Sequence, residues 1–305
     1  MPSCPTVTSP SVSSVVRRHP PLVLLAAGVG TRFGGIKPLA PVGPEREPLI
    51  GIALDQAVDA GFDKVVVVVG GASRAEIEAT LASWPTSLTI DTVTQDRIGP
   101  PRTKPWGTVG ALVAVHRAGA SPTGCVLANG DDLYGADGLR LARDWLVSDA
   151  GADGALIAYR ADRTLSRSGG VSRALPIVDE RRRLVSLAEQ RDVRWHGAAI
   201  ESASGAVLAA DTPVSMNLWA LRPSLIGALT ALFEVFLADN VRNENAECGL
   251  PDAIGSLLVR STGSGPMAVD LLVTESTWHG VTWADDVERV RAELVAELHH
   301  RDSSR

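Results

Sequence analysis

Cysteine is scarce in this chain. The three thiols, Cys4, Cys125 and Cys248, are odd in number and far apart, which suits neither a disulfide framework nor a zinc site and points to a reducing, cytoplasmic compartment. An excess of basic residues is missing too. Lys and Arg number 29 against 35 Asp and Glu, a formal charge of −6, so the chain lacks the means to neutralise a phosphate backbone and no nucleic-acid partner is expected. A small anion gripped by a few local cations remains compatible with that charge. No apolar run approaches the roughly 20 residues that span a bilayer, so no membrane partner is expected. The first twenty residues are rich in Ser, Pro and Thr and lack the apolar core of a secretory signal. Residues 1–20 are therefore expected to be a disordered leader, 21–298 a folded body and 299–305 a flexible tail. Neither an internal repeat nor a β-helical hexapeptide repeat is present.

What is present is enough apolar residue, 45% of 305, for one large domain or two small ones. Its pattern alternates. A short apolar run at 22–27, the helical spacing of "PLIGIALDQAVDAG" and the continuous run "KVVVVVG" read as strand, helix, strand. "SRAEIEATLASW", "LTIDTVTQ", "TVGALVAVHRAG" and "GCVLANGDD" continue as helix, strand, helix, strand. The fold class expected is α/β, a doubly wound and mostly parallel sheet, because uninterrupted valine strands need cover on both faces. Farther on, "GALIAYRA", a hairpin around "DERRR" and "PVSMNLWAL" read as strands, with a small β-rich lobe over about 160–215. Helices are expected at "PSLIGALTALFEVFLADN" and "DDVERVRAELVAELHH".

The turn after the first strand, "LLAAGVGTRFGGIKPLAPVGPE", holds five glycines and two cations, with no carboxylate before its last residue. Backbone N–H groups at such a strand end surround phosphate oxygens readily. Two familiar phosphate motifs fail. A dinucleotide fingerprint begun at Gly28 and Gly30 needs glycine where Phe33 stands, and a P-loop begun at Gly30 needs lysine where Ile36 stands. What remains is Gly28, Gly30, Thr31 and Arg32, followed by Lys37: a planar fork and a mobile point charge beside a glycine turn.

That stretch resembles the signature of the sugar-phosphate nucleotidyltransferases, the NDP-sugar pyrophosphorylases. "KPWGTVGAL", "LANGDDLYG", "TLSRSGGVSR" with "LVSLAEQ", and "PVSMNLWAL" resemble further motifs of that family in its order, over about residues 22–290. The resemblance implies a Rossmann-like catalytic domain related to the GT-A fold. It also implies attack by a sugar 1-phosphate oxygen on the α-phosphorus of a nucleoside triphosphate, with Mg2+ as cofactor. Two polyanions meet in that reaction, so the barrier is electrostatic and positional. By the same resemblance Arg32 and Lys37 are the catalytic cations. Ala26, Ala27, Gly28, Gly30, Thr31, Gly107 and Thr108 hold the nucleotide, and Gly170, Glu189 and Asn217 the sugar phosphate. Asp131 matches the metal aspartate, while Asp132 either assists it or caps the following turn. Two departures stand out. Val281 occupies the place of the family's second metal aspartate, and Gln190 that of a lysine after Glu189, for which Arg191 is a candidate replacement. Two other classes stay open on sequence: a metal-dependent glycosyltransferase using a nucleotide-sugar donor, and a non-catalytic nucleotide-binding regulator. Base, sugar and oligomeric state are not legible, and a homo-oligomer is left open.

Overall fold

Strands β1 (Leu22–Leu25) and β2 (Lys64–Val69) are almost entirely buried, as expected of runs of leucine and valine with helices on both sides. The computed structural model describes residues 19–28, 33–102, 104–165, 169–259, 265–281 and 285–303. Between and after these strands lie α1 (Leu49–Asp59), α2 (Arg74–Ser83), β3 (Thr89–Thr94), α3 (Thr108–Arg117) and β4 (Cys125–Asn129). A two-residue strand β5 (Asp132–Leu133), α4 (Ala136–Val147) and β6 (Gly154–Arg160) follow. Next come β7 (Val171–Val178), β8 (Leu184–His196), β9 (Ala199–Glu201), β10 (Val207–Leu208) and β11 (Pro213–Leu221). The chain then forms α5 (Pro223–Asn240), α6 (Leu250–Val259), β12 (Val269–Thr274), β13 (His279–Gly280) and α7 (Asp286–Ser303).

The central sheet runs β3, β2, β1, β4, β11, β6, β12, all parallel except β11, which lies antiparallel to both β4 and β6. Its pleat sends alternate residues to two cores. Leu22, Leu24, Val65, Val67 and Val69 pack with α1, α2 and α4, whereas Val23, Val66 and Val68 pack with α3, α5 and α6. Burying each such side chain stabilises by about 1.5–3 kcal/mol relative to exposure, so the two cores are the main support of the sheet. This is the doubly wound architecture expected from the sequence.

The β-rich lobe grows from the start of β11, where Ser215 pairs with Ala174 of β7, and continues through β8, β9 and β10. Its hairpin closes as expected around residues 179–183, with Asp179 Oδ1 accepting the amides of Arg181 and Arg183 at 2.9 Å each. β11 is therefore shared: its first half belongs to the lobe and its second half to the sheet. The two halves are offset by a bulge between Ser215 and Leu218, where Asn217 takes a left-handed φ of 63°.

Helices α4 and α6 and strand β12 have no counterpart among the sequence expectations, nor do the two-residue strands β5 and β13. At the carboxyl end α7 stays helical through Ser303, past residue 298 where a flexible tail was expected to begin. That helix is pinned to β13 by His279, which is buried between Glu293 at 3.0 Å and Glu297 at 2.9 Å. Burial alone lowers the imidazole pKa, but the two glutamates outweigh it and raise it to about 9. No helix of the described residues is long and apolar enough to cross a membrane.

Candidate active site

Small residues bring the carboxyl ends of β1 and β4 together. The Gly130 amide donates to Leu25 O at 2.9 Å, and a Cβ at Gly130 would come within 2.9 Å of the Ala26 Cβ. On one side this close approach places Ala27 and Gly28, and on the other Asn129, Asp131 and Asp132. Among the described residues no atom lies within 4 Å of where a Gly28 Cβ would be. Gly30, Thr31 and Arg32, expected to cradle and neutralise phosphates, lie outside the described residues. The chain returns through a single 3-10 turn at Lys37–Leu39, which carries Lys37 Nζ to 3.4 Å from Asp131 Oδ2.

A cavity of about 670 Å3 opens beside this rim, lined by Ala27, Gly28, Gln95, Gly107, Thr108 and Asp131 among others. Gly107 adopts φ 91° and ψ −178°, a conformation that only glycine enters freely. A Cβ there would also fall 2.6 Å from the Cys248 carbonyl oxygen. This glycine is tied to the loop before α6. The Cys248 amide donates to Trp106 O at 2.8 Å, the Val109 amide to Cys248 O at 3.1 Å and the Leu250 amide to Thr108 Oγ1 at 2.7 Å. Trp106 is buried against Phe236, with the Arg102 guanidinium 3.9 Å above its ring. It is a packing residue, and Gln95 is a cavity residue that the sequence reading missed.

Asp131 and Asp132 sit where β4 gives way to β5. Burial, and then the negative charge of Asp131, push the Asp132 carboxyl up to about 7. A relay of amides supports it from below. Trp219 Nε1 donates to Asn217 Oδ1 at 2.9 Å, Asn217 Nδ2 to Asn129 Oδ1 at 2.7 Å, and Asn129 Nδ2 to Asp132 Oδ2 at 2.8 Å. Asn217 thus works largely as a structural relay at the β11 bulge, with one amide N–H left for a ligand. Asn129 is the missing link that the sequence reading passed over, although it stands in the quoted "LANGDD".

A second cavity, about 600 Å3, meets the first at Thr108, Asn129 and Asp131. Lys37, Arg173, Glu189, Asn217 and Asp252 supply its charged and polar walls. Glu189 faces it but is 59% exposed and lies 3.6 Å from the solvent-exposed Arg191. Gly170 is not among the lining residues. Its missing side chain makes room for Asp192, whose Oδ1 would stand 1.8 Å from a Cβ there, and Ser172 and Arg173 line the wall instead. Nor does the far wall supply the second metal carboxylate. Val281 is buried and apolar, and Gly280 pairs with Asp132 across β13 and β5, where a Cβ would approach Asp132 Oδ1 to 2.9 Å.

Among the described residues no cluster of three or more His, Cys, Asp or Glu is arranged to hold a metal. The Asp131–Asp132 pair nevertheless suits Mg2+, which keeps several waters and takes one or two carboxylates together with substrate phosphates.

Residues 22–163 match the family model of the MobA-like NTP transferase domain. HddC from Yersinia pseudotuberculosis, solved with GMP-PN and without it, superposes with a TM-score of 0.56 at 13% identity, over 90% of this chain and 99% of that one. The inositol-1-phosphate CTP transferase from T. maritima gives a TM-score of 0.57 at 15% identity, over 92% of this chain and 96% of that one. At such identities the likeness establishes a shared fold. Comparison with curated protein sequences gives no match. The matched span carries β1, the Lys37 turn, the Gly107 loop and the acid pair; residues 22–163 are thus similar to a MobA-like NTP transferase domain, and the enzyme is a nucleotidyltransferase.

Proposed function

We propose that the protein transfers a nucleotidyl group from a nucleoside triphosphate to a sugar 1-phosphate or related polyol phosphate. One observation carries this reading: two cavities of similar size meet at Asp131, with Lys37 beside the junction. A donor in the first and an acceptor in the second would bring an acceptor phosphate oxygen to the α-phosphorus. The new P–O bond forms there, the bond to the β-phosphate oxygen breaks, and pyrophosphate leaves. Lys37 would neutralise charge at the junction, and Arg32 would hold the departing pyrophosphate, as the family resemblance implies. Asp131 and Asp132 would hold Mg2+, which supplies Lewis-acid charge to the triphosphate. Ala26, Ala27, Gly28, Gly107 and Thr108 would surround the nucleotide, while Glu189 and Asn217 would accept and donate hydrogen bonds to acceptor hydroxyls.

The acceptor class is supported by the polar second cavity, and by a structural neighbour whose name states inositol 1-phosphate and CTP. A reducing cytoplasm fits the cysteine usage. The test is a matrix of five nucleoside triphosphates against a panel of sugar and polyol phosphates, scored by pyrophosphate release. With the pair that reacts, Lys37→Ala and Asp131→Asn are each expected to lower kcat/KM by about 100-fold or more. Near wild-type turnover by both variants would refute the site. Release of nucleoside diphosphate from a nucleotide sugar, with no pyrophosphate formed, would instead assign the protein to glycosyl transfer.

A further inference from the structure

Arg173 is a buried cation in the fold. It is 7% exposed, and among the described residues no carboxylate lies within ion-pairing distance of it. Its three nitrogens are held by neutral oxygens: Nε donates to Thr164 Oγ1 at 3.1 Å, one amino group to Ser172 O at 2.8 Å, and the other to Thr164 O. Trp278 lies beneath the guanidinium at 5.1 Å. These contacts fix the plane of the fork without neutralising it. Among the described residues they engage one hydrogen on each nitrogen and leave two N–H donors uncommitted.

A buried cation compensated only by carbonyls and a hydroxyl is costly, so sequences rarely keep one without a counter-ion to receive it. The nearest acid with electrostatic influence is Asp132, which is already engaged by Asn129 and stands beside Asp131. Across the small cavity that Arg173 shares with Trp278 and Gly280, the buried Asp286 is already paired with Arg289 at 3.3 Å, and Val281 is apolar. Arg173 does, however, line the second cavity together with Lys37, and burial lowers its pKa only to about 10, so it is charged at neutral pH. Arg191, the replacement expected from sequence for the missing lysine, is 80% exposed and paired with Glu189.

The geometry points to Arg173 as the residue that binds the acceptor's phosphate, its fork and the ammonium of Lys37 receiving the anion between them. This rests on the second cavity being the acceptor site, and deepens that reading by naming its cation. A phosphate monoester suits the fork better than a carboxylate, because a tetrahedral dianion satisfies both free N–H groups and two positive charges at once.

Titration calorimetry with inorganic phosphate tests this without any turnover. The comparison uses wild type, Arg173→Met, Arg173→Lys and, as a control, Arg183→Ala, a surface arginine that faces Asp270. One lost charge-assisted hydrogen bond is worth about 1.5–3 kcal/mol, so Arg173→Met is expected to weaken phosphate binding by roughly 10- to 100-fold. Arg173→Lys should recover part of that loss, and Arg183→Ala should match wild type. Should Arg173→Met not fold, Arg173→Lys decides alone, since a point charge in place of a fork must still weaken binding measurably. Equal phosphate affinity in wild type and the folded Arg173 variants, or no binding by wild type, overturns the assignment. With a reacting acceptor in hand, the same variants should raise its KM more than that of the nucleotide. Phosphate binding that depends on Arg173, combined with no pyrophosphate release from any pair, would uphold the anion site and sink the catalytic reading alone.

Discussion

Replacing Gly107 by alanine separates two things this glycine does. Its backbone, at φ 91° and ψ −178°, lies in a region nearly closed to other residues, and holding alanine there stores about 1–3 kcal/mol of strain. The added methyl would also meet Cys248 backbone atoms at 2.6 to 2.9 Å, and backbone cannot swing aside as a flexible side chain can. The Cys248 segment would have to retreat, stretching the bonds from Cys248 to Trp106, from Val109 to Cys248 and from Leu250 to Thr108. Each such bond contributes about 0.5–1.5 kcal/mol net. Alanine returns roughly 0.4–1 kcal/mol by restricting the unfolded chain. The net expectation is a loss of about 2–4 kcal/mol in unfolding free energy, read by urea denaturation, and a rise of tenfold or more in the KM for the nucleotide. A Gly107→Ala protein within 0.5 kcal/mol of wild type and with unchanged nucleotide KM would refute this account of the loop.

Asn217 offers a second comparison, in which Asn217→Gly keeps the backbone and removes the relay, whereas Asn217→Ala also strains a φ of 63°. Thermal unfolding is expected to place the alanine variant about 1 kcal/mol below the glycine variant, and equal stabilities would show that the bulge carries no strain. A pH series tests the His279 clamp. Its pKa is raised from the ordinary 6.5 to about 9, so the stability it contributes is complete below about pH 6 and is lost as pH rises through 9. A shift of that size corresponds to at most about 3 kcal/mol. The stability gap between wild type and His279→Gln, measured by denaturation, should therefore shrink from pH 6 to pH 10, and a constant gap would contradict the clamp.

The sheet was legible because its strands are local statements: five valines in a row cannot serve a half-exposed surface, and "DERRR" between two apolar runs has little alternative to a hairpin. Helix α4 was not. Its buried Leu139, Ala142, Trp145 and Leu146 do recur at helical spacing, but the Arg and Asp between them break the continuous apolar run by which the other elements were recognised. Helix α6 is obscured by Pro251 and Gly255. Among candidate-site residues, the motifs single out Lys37 and Asp131, and the fold brings these two within 3.4 Å of each other. Gly170 shows the opposite outcome: the motif was noticed, but its glycine serves Asp192. Nothing near Arg173 in the sequence marks it, because its distinction is the lack of an acid partner, which only the folded neighbourhood defines. Likewise, Gly280 faces Asp132 through strand pairing between distant segments.

The loop before α6 has an evolutionary corollary. Glu247 borders the first cavity, Gly249, Pro251 and Asp252 border the second, and Cys248 between them is bonded to the Gly107 turn. On the proposed function, six successive residues would serve two recognition tasks with one backbone. A substitution there that retuned the choice of nucleobase would also displace the wall facing the acceptor, so along this stretch the two preferences would drift in step.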